Sequence, residues 1–100
     1  MICGTTPTHI FTLPFDSALV KEAQVIYAQG GMEVLRKETQ DFEMDGQQIG
    51  VTLTQEETLS FDHRSNVQIQ LRILTTEGVA YASNIYTGDV KQCLSGEVIR

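Results

Sequence analysis

The sequence predicts an all-β chain, and three observations carry that expectation. Val67 to Leu74 alternates without a break, placing Val67, Ile69, Leu71 and Ile73 on one face and Gln68, Gln70 and Arg72 on the other. A period of two suits a pleated strand with one buried face; a helix would scatter the same four aliphatics around its circumference. Turn signals recur along the rest of the chain at roughly eight- to twelve-residue spacing, as in sandwich proteins. Finally, 100 residues with 41% hydrophobic content are enough for one core and one domain, since a chain of this size buries roughly two-thirds of its unfolded surface.

The segments follow in order. Met1 to Pro7 reads as a leader and Ser95 to Arg100 as a tail, both expected to fray, at the ends of a single domain spanning 1–100. Thr8 to Phe15 alternates with Phe11, Leu13 and Phe15 on one face; Pro14 removes a ladder donor, which places this strand at a sheet edge or makes it leave its partner there. Leu19 to Gln29 contains a weak helical stripe, but Val25, Ile26 and Tyr27 favour a strand over Glu22 to Gln29, ended by the hairpin glycines Gly30 and Gly31. Glu33 to Glu38 returns as its partner, and its neighbouring apolar residues imply a bend or cover on both faces.

Phe42 to Met44 leads into Asp45-Gly46, the strongest hairpin signal in the chain, and Ile49 to Leu53 alternates again. Thr54 with Glu57 three residues later forms a capping-box pattern that predicts one helical turn crossing from sheet to sheet. Beyond Val67–Leu74, Thr75 to Gly78 turns the chain. Val79–Ala82 and Ile85–Thr87 flank Ser83-Asn84, a polar pair that predicts a bulge after which the inward-facing parity changes. Val90 to Leu94 is expected as a last short strand. The whole is an immunoglobulin-like or fibronectin-like Greek-key β-sandwich of seven to eight short strands.

Composition narrows the function. A net charge of −6 with only seven basic residues scattered along the chain argues against a nucleic-acid binder, which needs clustered Lys and Arg, and against an anionic membrane surface. The N-terminus lacks a charged n-region and an apolar h-region, and no run approaches the roughly twenty apolar residues of a membrane span. The expected location is therefore the cytosol, or a route out of it other than signal-peptide secretion. Cys3 and Cys93 sit near opposite ends; a bridge between them is geometrically possible but disfavoured in a reducing compartment.

Few residues are candidates for chemistry. Asp41 to Gly46 resembles the opening of a calcium loop, but position twelve would be Thr52 in place of a bidentate Glu, so the segment reads as a solvated acidic strand edge. Asp62-His63-Arg64-Ser65 places carboxylate, imidazole and hydroxyl together in sequence, where side chains diverge and triads rarely form; a loop is the better reading. His9 reads as a solvent-facing strand residue, His9 and His63 lack metal-ligand spacing, and Glu56 and Glu57 point apart in a capped turn. No catalytic residue, cofactor or metal is expected. Tyr86 is the one plausible carbohydrate platform, and Gln68, Gln70 and Arg72 form a possible protein-contact face.

The chain as a whole resembles a group of small β-rich proteins from bacteriophages and prophages, and more remotely the N-terminal domain of phage baseplate upper proteins. The resemblance lies in Gly4-Thr5-Thr6-Pro7-Thr8 running into Phe11-Thr12-Leu13, Ile26-Tyr27-Ala28-Gln29, Leu53-Thr54-Gln55-Glu56-Glu57-Thr58 with Phe61, and Val67-Gln68-Ile69-Gln70-Leu71-Arg72. It implies a noncatalytic structural or adaptor protein of a tail or baseplate module, located in the virion and partnered by other phage structural proteins or by itself. The alternative is a phage-encoded binder that occludes a host protein or sequesters a ligand. Open sheet edges offer either role a simple mode of contact, β-strand addition.

Overall fold

The computed structural model describes all residues 1–100 as two antiparallel sheets packed face to face. Eight strands form them: β1 Thr8–Thr12, β2 Val20–Gln29, β3 Met32–Glu38, β4 Phe42–Asp45, β5 Gln48–Thr52, β6 Val67–Thr75, β7 Ala80–Ala82 and β8 Tyr86–Gly88. One α-helix, α1 Gln55–Leu59, connects β5 to β6, and two single turns of 3-10 helix, Ser17–Leu19 and Thr39–Asp41, lead into β2 and β4. The smaller sheet has the order β1-β5-β4; the larger has β3-β2-β6, with β7 and β8 in tandem along the far side of β6. This is the immunoglobulin-type Greek key, in which β1 to β6 stand for the second to sixth strands with one extra hairpin strand, and β7 with β8 for the last. The expected fold class is thereby shown, and in the smaller sheet β1 is an edge strand whose outer side pairs with no other strand.

The core is built from alternate residues of facing strands. Ala23, Val25 and Tyr27 of β2 and Val67, Leu71 and Ile73 of β6 meet Ile49 and Val51 of β5, with Leu13, Leu53 and Phe61 closing the ends. Their odd-numbered spacing within each strand is the two-residue period that the sequence displays.

The turns follow local chemistry. Gly30 and Gly31 connect Gln29 to Met32 with φ of 57° and 80°, a two-residue loop in which both positions need a left-handed backbone. Gly46 opens the two-residue loop between Asp45 and Gln48 at φ 56°. The apolar neighbours of β3 are explained by a register shift: Tyr27 faces Leu35 and Ala28 faces Glu33, so Val34 is the extra residue of a bulge. The expected bulge between β7 and β8 is present too. Ile73 faces Tyr81 and Ile69 faces Tyr86, so both tyrosines point inward although one is odd-numbered and the other even. The Ser83 hydroxyl accepts the Leu71 N–H at 2.9 Å, filling the ladder position that the bulge vacates.

Three segments depart from expectation. Val90–Leu94 is not a strand; Val90 is buried, and Lys91 makes a single parallel bridge to Ile2. The leader, expected to fray, supplies the other side of that bridge: Cys3 N–H donates to Lys91 O and Lys91 N–H to Met1 O, and Cys3 is buried. The tail is held near its end by Gln55, whose side-chain amide donates to Ile99 O at 3.0 Å and accepts from Ile99 N–H at 2.9 Å.

Candidate functional site

The site grows out of the unpaired outer edge of β1. Leu53 N–H donates to Pro7 O and Leu13 N–H to Gln47 O, so the odd-numbered residues of β1 direct their backbone groups toward β5. The even-numbered ones, Thr8, Ile10 and Thr12, therefore turn theirs outward along an edge that no strand covers. Pro14, also even-numbered, ends that row of donors, as its position in the sequence suggests. Side chains obey the same parity: Thr8, Ile10 and Thr12 are exposed, while His9 and Phe11 point into the sandwich and are half-buried.

Inside this edge the two sheets gape. β1 and β8 bound a groove lined by His9, Phe11, Ile69 and Tyr86. It continues toward β7 along Leu13, Phe15, Leu71, Ile73 and Tyr81. Two aromatic pairs bridge the gap, Phe11 with Tyr86 at 6.1 Å between ring centroids and Phe15 with Tyr81 at 5.3 Å, both tilted. The rings remain wet, for Tyr81 is 48% and Tyr86 53% exposed. In a complete Greek key, the inward side chains of a strand beside β1 would cover them.

Beside the groove, His9 Nδ1 and the Tyr27 hydroxyl share a hydrogen bond of 2.7 Å, and Tyr27 stacks edge-on against Phe61. Burial depresses the His9 imidazole below its ordinary value. Burial, helped by the nearby Glu57 carboxylate, pushes the Tyr27 phenol well up. Both shifts favour the neutral ring. The expectation that His9 faces solvent is corrected, because β1 shares the inward parity of Phe11 with His9.

The other candidates lie elsewhere. Gln68, Gln70 and Arg72 share the outer face of the larger sheet: Gln68 and Arg72 are exposed, and Gln70 is half-buried, with its amide donating to Ser83 O at 3.0 Å. That face is separated from the groove by the sheet itself. Asp62 and Arg64 form a turn in which Asp62 Oδ1 accepts the Arg64 N–H at 2.9 Å and pairs with its guanidinium; these bonds lower the Asp62 carboxyl. Asp41 accepts the Glu38 N–H at 2.9 Å as part of a capping box, a use for this carboxylate that the sequence pattern did not suggest.

Thr54 and Glu57 form the capping box expected of them, through Glu57 N–H to Thr54 Oγ1 at 3.1 Å and Thr54 N–H to Glu57 Oε1 at 2.8 Å. The same Glu57 oxygen also pairs with Lys37 Nζ at 2.7 Å. Lys37 escaped the sequence reading; it is opposite Val25 on the inward face of β3, and its long stem carries the charge out to α1.

Cys3 and Cys93 are free thiols, the first buried and the second exposed. Their segments lie side by side, since the Cys93 Sγ is 3.4 Å from where a Cβ on Gly4 would sit. Burial raises the Cys3 thiol, and the nearby Cys93 adds to the effect. No three His, Cys, Asp or Glu side chains are placed to share a metal ion, and no helix is long and apolar enough to cross a membrane. No protein-family model, curated protein or solved structure matches the chain.

Proposed function

We propose that this protein is a noncatalytic structural or adaptor component of a bacteriophage particle, in the tail or baseplate module, that makes its contacts through the open side of the sandwich. The observation that carries this reading is the pairing of an uncovered strand edge on β1 with an apolar groove beside it. Together they offer backbone hydrogen bonds for affinity and pockets for alternate side chains of an added strand. The resemblance of the chain to small phage proteins supplies the setting. The fold is suited to such work, for its core is filled by apolar side chains, Tyr27 and Phe61 among them, and its exposed aromatics are gathered on one side.

Two of the other strand edges carry charge that discourages pairing, whereas the edge formed by β7 (Ala-Tyr-Ala) and β8 (Tyr-Thr-Gly) is short and, like β1, uncharged. β4 presents Glu43 and Asp45, and β3 presents Glu33, Arg36 and Glu38. β1, with the sequence Thr-His-Ile-Phe-Thr, has no formal charge along its length at pH 7.

Mass spectrometry and immuno-electron microscopy of particles from the parent phage test the proposal. The protein is expected in purified virions or assembly intermediates, in fixed stoichiometry to a tail component. Its absence from both would overturn the virion reading. Stoichiometric retention of one host protein, without phage proteins, would establish the host-directed binder in its place.

A further inference from the structure

We propose that the strand completing β1 is β1 of a second copy, paired antiparallel about a twofold axis through Ile10. The inference rests on the reading of the open side as a contact surface and names its occupant. Three features of the edge support a self-complementary pair.

The first is parity. The outward backbone groups belong to Thr8, Ile10 and Thr12, which are symmetric about Ile10. An antiparallel copy therefore sets Ile10 opposite the partner's Ile10 and Thr8 opposite the partner's Thr12. Every outward donor then meets an outward acceptor, as an isologous contact demands. The row ends at Pro14, which lacks the next outward donor, so the strand length and the symmetric window coincide.

The second is charge. The chain carries −6 overall, so two copies repel one another on average. β1 adds nothing to that negative charge: it holds no Asp or Glu, burial favours the neutral form of His9, and the other four residues are uncharged. The acidic β4 edge on the opposite side of the same sheet would place Glu43 and Asp45 against like charges.

The third is shape. Ile10 is 63% exposed on the outer face of a two-layer protein, where its cross-strand neighbour on β5 is Gly50. Across the twofold axis it gains the partner's Ile10, a close cross-strand apolar contact. On the inner face, His9 and Phe11 come opposite the partner's Phe11 and His9, so each half-open groove is extended by the other. The two small sheets merge into one of six strands, and Tyr86 of each protomer is brought toward the junction.

Light scattering coupled to size exclusion, over a wide concentration range, is the first test. A mass approaching twice 11.1 kDa, rising with concentration, is expected. Ile10→Lys puts two ammonium groups at the axis and is expected to weaken association by ~10-fold or more. Ile10→Pro removes an outward N–H while sparing the bonds between β1 and β5, so it is expected to abolish pairing without unfolding the protomer. Circular dichroism and thermal melts verify that both variants remain folded. In a Cys93→Ser background, Ile10→Cys is expected to form an oxidised dimer under mild oxidation, whereas Thr52→Cys, one strand further in, is not.

A monomer at all concentrations would overturn the proposal, as would a dimer unaffected by both Ile10 substitutions. Those results are distinguishable from failure of the virion reading. A monomer that still occurs in particles, with incorporation lost in Ile10→Lys, keeps the edge as the contact and assigns it a different partner. A dimer absent from particles keeps the pairing and removes the virion role.

Discussion

His9 shows how one residue's setting is decided by its neighbours. Its imidazole lies beneath β1 against the Tyr27 hydroxyl, and burial lowers its pKa from 6.5. Because the folded value is the lower one, the unfolded chain binds more protons in the interval between the two. Stability is then complete above about pH 6.5 and falls as pH drops through that interval toward the folded value. Thermal melts between about pH 7.5 and pH 5 should show this loss, and His9→Gln should flatten the profile. Tyr27→Phe should cost about 1–3 kcal/mol in urea unfolding, since it leaves a half-buried imidazole nitrogen without its partner. The sequence shows the alternation of β1 yet suggests a solvent-facing His9, because a polar ring is expected on the wet side of a strand. Phe11 and Leu13 carried the parity that corrects this; applied to every odd position, it would have placed His9 inside.

At the level of the elements, local chemistry was the most legible. The capping box at Thr54 and Glu57, the glycines of both tight hairpins and the parity change across Ser83-Asn84 are short-range signals, complete within a few residues. Thr54→Ala should destabilise by about 0.5–2 kcal/mol through loss of the cap alone. Glu57→Gln is a different experiment, since the carboxylate also holds Lys37 at 2.7 Å in a mostly covered pair. Its expected cost, between the limits for exposed and buried ion pairs, is about 1–3 kcal/mol, and Lys37→Met combined with Glu57→Gln should recover part of it in a double-mutant cycle. Val90–Leu94 was misread because its apolar residues resemble a strand in isolation. A strand also needs a continuous partner, and Met1–Cys3 supplies only one bridge.

Over the whole molecule, the two faces of β6 have unequal roles. Ile49→Ala or Leu71→Ala, opening a void between the sheets, should cost about 2–5 kcal/mol by denaturant unfolding. Gln68→Ala and Arg72→Ala on the outer face should each shift stability by no more than about 0.5 kcal/mol. That contrast tests the sandwich directly, for a helical or single-layer arrangement of the same residues would not separate them. The exposed Tyr81 and Tyr86 rings belong to this scale as well. They lie on strands that alternate correctly, yet remain wet because no strand continues the smaller sheet beyond β1.

By itself the sequence determined the all-β class, nearly every strand, the hairpins and the capped turn, because each is dictated by side-chain alternation or by the backbone preferences of a few consecutive residues. Only the tertiary structure decided which edge stays uncovered, that His9 meets Tyr27, and that Lys37 reaches Glu57. Those relations join residues 18 to 20 positions apart, or depend on which strand ends the sheet. The period of two says that a residue faces inward or outward, and never what stands opposite; that is set by strand order, which hydrophobic pairing between distant segments selects.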